Sequence, residues 1–356
     1  MTVDYAIELA DACNLRCPSC PQGRTPHPGG AAALMDLDLL ERILDCIRTG
    51  PPVSEIALCN WGEPFMHPEL ATAVGLVDRI GARCHISTNL NAMKDIDEVL
   101  SAGLDSLRIS VSGYVQETYV RTHQGGDIEI VKRNMRELRE AIERTRSRVR
   151  VHVYFHRYRA NLDDELSMRE LARGLGFGFH PVWALLLSVD RVLALVEGRG
   201  GSGATALDDE EQRLLDALAL PLFPALRAAR RLSHLPCPFQ DSIAPIDIQG
   251  RARLCCARYD DGESAIGPFL EMPLERIAAL RRSHPLCERC MAQGVHVYQS
   301  LGTAEFDRLA VERIGPEYAS RGYLRWERLK KRALNALPDR LKRPLLELYR
   351  RVGERG

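Results

Sequence analysis

The sequence predicts an α/β fold in which six parallel strands form a partial (β/α)6 barrel of the TIM type, followed by a small cysteine-containing domain and a basic helical tail. Over the first 185 residues, short apolar segments alternate with segments of helical periodicity, a pattern typical of parallel sheets. Polar and glycine-containing stretches follow successive strands, where such folds place their active sites. A doubly wound sheet is the alternative architecture.

The individual elements follow from residue type and spacing. Strands are predicted at 5–9, 55–60, 84–88, 106–112, 148–155 and 177–183, where apolar and β-branched residues cluster. Helices are predicted from apolar periodicity at 36–48, 67–81, 128–145, 163–176 and 207–219. Asp36 stands at an N-cap position and Gly176 closes its segment, which agrees with the usual capping preferences.

Four polar stretches are predicted to meet at one edge of the sheet. Residues 13–20 follow the first strand, 60–64 the second, 87–91 the third and 110–113 the fourth. The carboxyl ends of parallel strands lie at the same edge. This edge is therefore the predicted functional site.

Composition and charge exclude several classes of protein. The chain has 356 residues, a formal net charge of zero, 45% hydrophobic and 27% charged residues, which is ordinary for one large or two globular domains. Net charge gives no reason to expect a nucleic-acid partner. No apolar run is long enough to span a bilayer, and the N-terminus does not resemble a signal peptide. We therefore expect a cytoplasmic location, where eleven cysteines indicate metal ligands or buried thiols.

The chain is predicted to divide into four regions. The barrel occupies 1–185, a helical connection 186–232, a second cysteine-containing domain 233–300 and a basic helical tail 301–356. The connection includes the glycine-rich stretch 197–205, which has the composition of a flexible linker.

Three cysteines stand close together after the first predicted strand. Cys13, Cys17 and Cys20 have the spacing Cys-x3-Cys-x2-Cys. A disulfide uses two thiols and a closed structural zinc site uses four ligands. Three thiolates suit an iron–sulfur cluster and leave one iron open for chemistry. A zinc site or unrelated cysteines remain the alternatives on spacing alone.

With Asn14 and Leu15 after the first cysteine, this spacing resembles that of the radical S-adenosylmethionine (radical SAM) superfamily. The resemblance covers roughly residues 1–185. It implies that the three cysteines hold a [4Fe–4S] cluster, whose open iron is chelated by the amino and carboxylate groups of S-adenosylmethionine (SAM). One electron then cleaves SAM to a 5′-deoxyadenosyl radical, which abstracts a hydrogen atom from the substrate.

The same resemblance implies further SAM-binding residues, which are Gly62, Glu63, Pro64, Asn89, Ser110, Ser112 and Arg157. The Gly-Glu-Pro element would line the methionine amino group, and Asn89 and Ser110 would contact the ribose or the methionine carboxylate. Ser112 stands where the family commonly has an acid, which puts a ribose contact there in doubt. Arg157 suits a carboxylate because its guanidinium forms a fork, although a solvated surface arginine is the alternative.

A second cysteine group follows the helical connection and comprises Cys237, Cys255, Cys287 and Cys290. A hairpin is predicted around Gly250, just before Cys255. The arrangement resembles the shortened form, called twitch, of the auxiliary-cluster domain SPASM. The resemblance implies a second, auxiliary [4Fe–4S] cluster on these four cysteines. A structural zinc ribbon is compatible with the same spacing.

The remaining cysteines have weaker interpretations. Cys256 is a spare thiol beside Cys255, and it is an inert buried thiol, an alternative ligand, or a hydrogen-atom donor of the kind that epimerases need. Cys46 on a helix, and Cys59 and Cys84 on strands, are predicted core residues.

A group that assists deprotonation of the substrate is expected near the site. His123, His152, His156 and His180 are candidates, but each is also compatible with a structural role. The stretch 123–127 contains two glycines, which permit the backbone angles of a pocket lid.

The resemblance narrows the reaction without naming the substrate. A cluster with four cysteine ligands can accept an electron, which suits oxidation of an alcohol, and the shortened domain resembles that of aminocyclitol dehydrogenases. We therefore expect dehydrogenation or epimerisation of a sugar, an aminocyclitol or a similar small polar molecule. Radical modification of a ribosomally made peptide is the alternative, and a zinc-binding interaction protein is the alternative of another class. A flavodoxin- or ferredoxin-type electron donor is implied.

The C-terminal stretch 321–356 carries twelve Lys/Arg and four Asp/Glu, a net charge of 12 − 4 = +8. Leucine and aromatic residues alternate with the charges. One interpretation is peripheral contact with an anionic membrane. The other is docking of amphipathic helices onto the barrel with their basic side chains extended to water. No nucleic-acid recognition motif accompanies the charge.

Overall fold

The computed structural model describes residues 3–24, 33–198, 207–259, 264–300 and 302–315. Within these residues the chain forms eleven strands: β1 (Asp4–Ile7), β2 (Ala10–Asp11), β3 (Ala33–Leu34), β4 (Glu55–Ala57), β5 (Arg83–Thr88), β6 (Ser106–Val111), β7 (Arg150–Arg157), β8 (Gly178–Trp183), β9 (Ile243–Ile246), β10 (Arg251–Arg253) and β11 (Ala265–Pro268).

The helices of the same residues are α1 (Pro21–Arg24), α2 (Leu37–Thr49), α3 (Leu70–Arg79), α4 (Ile96–Ser101), α5 (Gln116–Tyr119), α6 (Ile128–Thr145), α7 (Asp164–Gly174), α8 (Val189–Val196), α9 (Asp209–Ala217), α10 (Leu222–Arg230), α11 (Pro238–Ser242), α12 (Leu274–Arg282), α13 (Pro285–Ala292), α14 (Val295–Ser300) and α15 (Ala304–Ile314). Two short 3-10 turns lie at Pro64–Met66 and Phe269–Glu271.

Nine strands of the described chain form one sheet in the order β11-β10-β9-β1-β4-β5-β6-β7-β8. From β1 to β8, each neighbouring pair is parallel. Leaving aside the two-stranded β2–β3 ribbon, these strands follow one another in chain order. A doubly wound sheet would reverse its strand order at a switch point. The sequential order confirms the predicted α/β class with six parallel strands in the order of a (β/α) barrel. Within the described residues these strands form an open sheet.

The helices pack on one face of the sheet, where every second side chain of β5, β6 and β7 is buried and most of these side chains are apolar. Ile86, Leu107 and Val153 are fully buried and share one core with Val74 of α3 and Met135 of α6. The residues between them on the strands are only partly buried. Because successive side chains on a strand point to opposite faces, these intervening residues form the second face, which carries the polar groups described below.

Side-chain caps fix where the helices begin. Asp127 accepts a hydrogen bond from the backbone N–H of Glu129 at 2.8 Å, and α6 spans the predicted 128–145. Asp36 accepts from the N–H of Asp38 at 2.9 Å at the start of α2. Each cap satisfies a backbone donor that the first helical turn leaves without a partner.

The second cysteine-containing region joins the same sheet. Strand β9 pairs in parallel with β1 over its whole length, from Asp4 beside Ile243 to Ile7 beside Ile246. Strands β9 and β10 are antiparallel around Gly250, whose φ of +73° favours glycine. The predicted hairpin is confirmed, and it extends the sheet beyond β1.

A second apolar core lies among the later helices. Buried residues of α8, α10, α14 and α15, among them Tyr298 of α14, pack together with Tyr158 and Leu186. The hydroxyl of Tyr298 accepts the N–H of Leu186 at 3.1 Å, and the indole N–H of Trp183 donates to Asp307 at 2.8 Å. Helix α15 is thereby held against the end of β8.

No helix in the described part of the chain is both long enough and apolar enough to cross a membrane. The basic stretch 321–356 lies outside the described residues, and so does most of the glycine-rich stretch 197–205. The predictions made for them stay predictions.

Candidate active site

The cysteine loop is held by short backbone contacts. The N–H of Arg16 donates to the carbonyl oxygen of Gln124 at 2.9 Å, and the N–H of Cys20 donates to that of Cys17 at 3.0 Å. A Cβ at Gly23 would lie 2.6 Å from the backbone nitrogen of Cys17. Glycine at this position therefore lets α1 pack directly against the loop.

The loop after β4 is organised by a buried carboxylate from β1's end. Glu8 accepts hydrogen bonds from the backbone N–H groups of Asn60 at 3.3 Å, Trp61 at 2.9 Å and Gly62 at 2.8 Å. Burial raises the pKa of Glu8 to about 7, and the three N–H groups oppose that rise. Glu8 was absent from the sequence prediction, although an acid inside an apolar strand pattern is a signal that could have identified it.

Close backbone contact joins the cysteine loop to this second loop. A Cβ at Gly62 would lie 1.8 Å from the carbonyl oxygen of Ala10, so only glycine fits. The N–H of Glu63 donates to the carbonyl oxygen of Ala12 at 2.8 Å. The Gly-Glu-Pro element thus lies against the residues that immediately precede Cys13.

The side chain of Glu63 connects the loops after β4 and β5. Its carboxylate accepts from the hydroxyl of Thr88 at 2.7 Å and from the backbone N–H of Asn89 at 2.8 Å. Burial raises the pKa of Glu63 to about 7. Glu63 therefore positions Asn89. The prediction that Gly62, Glu63 and Pro64 line the methionine amino group stays a prediction.

Asn89 completes the connection to the cysteine loop. Its side-chain N–H donates to Asn14 Oδ1 at 2.9 Å and lies 3.7 Å from the Cys13 sulfur. Three of the four polar stretches are thus joined by hydrogen bonds at one edge of the sheet, as expected from the parallel topology.

The three thiols form a site that suits an iron–sulfur group. Burial raises the pKa of Cys13 to about 12, and the charges of Glu63 and Cys20 raise it further. Burial and the two other thiols also raise the pKa of Cys17. Such thiols stay protonated without a cation, whereas a coordinating metal deprotonates them. Free thiols grouped in one partly buried loop are the donor set that a cluster requires.

The four cysteines of the second group also lie near one another. Burial raises the pKa of Cys290, and the charges of Cys255, Cys237 and Cys287 raise it further. Cys255 accepts the N–H of Ala257 at 3.3 Å. The four sulfurs therefore fit a second cluster by the chemistry of their donors.

The described residues contain no group of three His, Cys, Asp or Glu side chains placed to hold a single metal ion. The cysteines of a [4Fe–4S] cluster bind different irons, so their sulfurs lie farther apart than the ligands of one ion. Neither cysteine group in the described chain is arranged as a compact one-ion site.

The second cysteine group touches the Gly-Glu-Pro loop. The indole N–H of Trp61 donates to the carbonyl oxygen of Arg258 at 3.3 Å, and its ring meets Tyr259 edge-on with ring centroids 5.8 Å apart. Trp61 precedes Gly62, and Arg258 follows Cys255 by three residues. Trp61, which was not among the predicted residues, therefore joins the second cysteine group to the Gly-Glu-Pro loop, and that loop packs against the residues before Cys13.

Ser110, on β6, and Ser112, just after its end, have different surroundings. The hydroxyl of Ser110 is 3.4 Å from that of Ser87 on the second face. Ser112 is fully buried and bonds His123 Nδ1 at 2.7 Å and the hydroxyl of Thr122. Burial lowers the pKa of His123 to about 4, so it is neutral at pH 7. Ser112 thus holds the 122–123 segment, and its predicted cofactor contact stays a prediction.

Arg157 has a carboxylate partner within the fold. Its guanidinium donates to Glu165 at 2.7 and 3.1 Å, and it lies 4.8 Å from the ring centroid of Trp183. Both Arg157 and Glu165 are buried. A fork of this kind uses two of the five guanidinium donors. The predicted pairing with the methionine carboxylate stays a prediction.

The second face of the sheet is lined by polar side chains, and we call it the polar face. It comprises His85, Ser87, Arg108, Ser110, His152, Tyr154, His156 and His180. His152 Nδ1 and His180 Nε2 are 3.0 Å apart. A Cβ at Gly178 would lie 2.5 Å from His152 Nδ1, so the glycine makes room for this pair.

The thiols Cys46, Cys59 and Cys84, which belong to the barrel region, differ in their surroundings. Cys84 is buried in the main core, as predicted. Cys59 borders the polar face, where its sulfur accepts the N–H of Ser87 at 3.2 Å. Cys46 is exposed on α2, so its predicted core position is wrong. It lies between the buried stripe residues Leu44 and Ile47, on the opposite side of the helix.

Residues 7–159 match the sequence model of the radical SAM superfamily. The domain that they form, with its cysteine loop and Gly-Glu-Pro loop at one sheet edge, belongs to this superfamily. Members of the superfamily are enzymes that use SAM and a [4Fe–4S] cluster, and this confirms the predicted class.

Two curated relatives align with part of the chain, and both are named GTP 3′,8-cyclase. The Chlorobaculum tepidum protein is 28% identical over 123 residues, which is 33% of this chain and 36% of that protein. The Limosilactobacillus fermentum protein is 28% identical over 133 residues, or 36% of this chain and 39% of that protein. The chain therefore matches less than two fifths of the length of either relative.

Solved structures show the same fold at low identity. The anSMEcpe structure with bound AdoMet has a TM-score of 0.52 at 12% identity and covers 88% of this chain and 98% of that one. Streptococcus suis SuiB bound to its precursor peptide SuiA has a TM-score of 0.52 at 13% identity and covers 85% and 68%. BtrN in complex with AdoMet and 2-DOIA is 14% identical and covers 84% of this chain and 90% of that one, with a TM-score of 0.49.

Proposed function

We propose that this protein cleaves SAM reductively and uses the resulting 5′-deoxyadenosyl radical to oxidise or epimerise a small polar substrate. The observation that carries the proposal is the connected edge of the sheet. Cys13, Glu63 and Asn89 come from three different loops and are linked by hydrogen bonds. Membership of the radical SAM superfamily supports the same conclusion.

Each connected residue would have a distinct task in this reaction. Cys13, Cys17 and Cys20 would hold the SAM-binding [4Fe–4S] cluster, and the N–H of Asn89 would stabilise the charge on the Cys13 sulfur. The backbone around Gly62 approaches the cysteine loop closely, and this contact would position SAM over the cluster.

The second cysteine group would hold an auxiliary [4Fe–4S] cluster, which would be the electron acceptor. When bound, the first cluster would supply one electron for the cleavage of SAM to methionine and the radical, and the second would accept one electron from the substrate after it has lost a hydrogen atom and a proton. In total, the alcohol loses one hydrogen atom, one proton and one electron, and its carbon becomes a carbonyl. The contact of Trp61 with Arg258 places the second cysteine group beside the Gly-Glu-Pro loop, which supports a role for its cluster in the same reaction.

The polar face supports a substrate rich in hydroxyl groups. Ser87, Ser110 and Tyr154 offer hydroxyls on this face, and the neutral imidazole of His180 offers a further donor or acceptor. We propose that a sugar or related molecule binds here, and that a flavodoxin- or ferredoxin-type protein supplies electrons.

The proposal is tested by measuring SAM cleavage in the reconstituted, oxygen-free protein with a chemical reductant. We expect wild type to form 5′-deoxyadenosine and methionine in equal amounts. Cys17→Ala should lose at least 100-fold in rate, and Cys46→Ala, a change at an exposed thiol outside the loop, should behave as wild type.

Two outcomes would contradict the proposal. One is a fully iron-loaded wild type that does not cleave SAM, and the other is Cys17→Ala protein that cleaves it at the wild-type rate. With a substrate found by screening sugars, aminocyclitols and peptides, oxidation gives a product two hydrogens lighter. Epimerisation gives a product of unchanged mass. If only a peptide is modified in the screen, the small-substrate proposal is wrong and the protein modifies peptides.

A further inference from the structure

Arg108 occupies the middle of the polar face. It lies on β6 beside Ser87 of β5 and His152 of β7 in the strand register. Its guanidinium carbon is 3.9 Å from the ring centroid of Tyr154. The arginine is therefore held over an aromatic ring in the interior of the fold, on the face that the helices leave uncovered.

This guanidinium has no carboxylate partner in the described part of the chain. Its Nε is buried and makes no hydrogen bond there. By contrast, Arg157 on the helix side is bound by Glu165 through two hydrogen bonds. A buried charge without a counter-ion is costly, and a buried donor left unpaired adds to that cost.

The groups around Arg108 do not neutralise it. His85 and His180 have a pKa lowered to about 4, mainly by burial and partly by the charge of Arg108. His156 has a pKa lowered to about 3 for the same two reasons. Burial raises the pKa of the neighbouring Cys59 to about 12. At pH 7 these neighbours are uncharged, so the charge of Arg108 stays uncompensated by them.

We propose that Arg108 forms an anion site on the polar face and binds a carboxylate or phosphate group of the substrate. The assignment rests on the proposed function and narrows it from sugars and aminocyclitols in general to acidic or phosphorylated sugars. The guanidinium offers a fork that matches either oxyanion. The guanidinium gains a charge partner when the oxyanion binds, and this pairing provides the binding energy.

The position of Arg108 would separate this anion from the carboxylate of a SAM molecule bound at the cysteine-loop edge. Ser110, two residues along β6, is nearer to the edge that carries the cysteine loop. Two strand residues span about 7 Å. An anion on Arg108 would therefore lie below the SAM site, with the rest of the substrate directed towards the edge where the radical forms.

The test measures binding of inorganic phosphate, and separately of acetate, to the reconstituted full-length protein saturated with SAM, at constant ionic strength. We expect Arg108→Gln to weaken binding of phosphate, acetate or both at least tenfold, and to change the SAM dissociation constant less than twofold. Arg139→Gln removes an exposed arginine paired with Glu143 on α6 and should bind as wild type does.

A second measurement keeps the test decisive if Arg108→Gln fails to fold. In wild type, the bound anion should shift the side-chain NMR signals of His85 and His180. The reason is that the charge of Arg108, which helps to lower the pKa of both imidazoles, would be neutralised.

Equal anion affinity in wild type and Arg108→Gln, or unmoved histidine signals, would overturn the proposal. A tenfold loss of SAM affinity in Arg108→Gln, with phosphate competing against SAM, would assign the anion site to the methionine carboxylate instead. Failure of iron-loaded wild type to bind SAM would overturn the proposed function. It would leave the anion measurement readable, because phosphate binding is detected without turnover.

Discussion

The side-chain amide of Asn89 lies 3.7 Å from the sulfur of Cys13 and donates towards it. The same amide donates to Asn14 at 2.9 Å, and the backbone N–H of Asn89 donates to Glu63 at 2.8 Å. One asparagine thus links the cysteine loop to the Gly-Glu-Pro loop. Because hydrogen bonds to cluster sulfurs set reduction potentials, this residue has a measurable electronic role.

Asn89→Ala should shift the potential of the SAM-binding cluster to a more negative value. An N–H group directed at sulfur stabilises the more negatively charged reduced form, so its loss disfavours reduction. The shift is read from a redox titration followed by electron paramagnetic resonance. Asn134→Ala removes an amide that bonds the carbonyl oxygen of Leu90 at 2.8 Å and should leave the potential unchanged. An unchanged potential in Asn89→Ala would contradict this role.

Gly62→Ala should destabilise the fold by about 1–3 kcal/mol or more, because the new Cβ meets the backbone oxygen of Ala10 at 1.8 Å. The contact is with main chain, which cannot rotate away. Gly174→Ala meets nothing within 4 Å at the end of α7 and should stabilise by about 0.5–1 kcal/mol. Urea unfolding of both variants measures the difference. Equal stabilities would show that the loop relaxes freely.

The buried carboxyl of Glu8 should make stability fall as the pH rises from about 4.5 to about 7. Below 4.5 the group is protonated in both states. Between its ordinary pKa of 4.5 and its folded pKa of about 7, only the unfolded chain loses the proton, which favours unfolding. The full loss is present above pH 7 and is on the order of 3 kcal/mol.

The check compares wild type with Glu8→Gln at the same iron content. The free energy of unfolding is measured between pH 5 and pH 8. Glu8→Gln should lose less stability over this range than wild type, since its side chain does not ionise. Parallel curves for the two proteins would show that Glu8 is ionised normally in the folded state.

Cys256 and Cys255 should differ when each is changed to Ala. Cys255 is the predicted cluster ligand, so Cys255→Ala should lose about four iron per chain. Cys256→Ala should retain its iron and its SAM cleavage. If Cys256 donates a hydrogen atom to a substrate radical, the same variant loses product formation selectively. Loss of iron in Cys256→Ala, with retention of iron in Cys255→Ala, would show that Cys256 is the cluster ligand and Cys255 the spare thiol.

Long periodic elements of this fold could be predicted from the sequence, and short ones could not. The helix at 128–145 has a regular apolar stripe and a capping Asp127, and the structure has it at the same bounds. Helix α4, with six residues, and the two-residue strands β2 and β3 are too short for periodicity to register. Their formation depends on tertiary contacts.

The candidate site divides in the same way. The metal-binding role of the first cysteine group can be predicted from a short stretch of sequence, because its three cysteines lie within eight residues. Glu8 and Trp61 act on partners more than fifty and almost two hundred residues away. The lack of a counter-ion at Arg108 depends on which strands become neighbours. Such relationships arise only when the sheet forms.

The most direct test of the two-cluster account is the iron and acid-labile sulfide content of protein purified without oxygen. The measurement compares wild type with a variant in which Cys13, Cys17 and Cys20 are all changed to Ala. Two [4Fe–4S] clusters predict about eight iron per chain, falling to about four in the variant. About four iron falling to near zero, with about one zinc remaining, would contradict the account, because the second cysteine group would then be a structural zinc site without an electron acceptor.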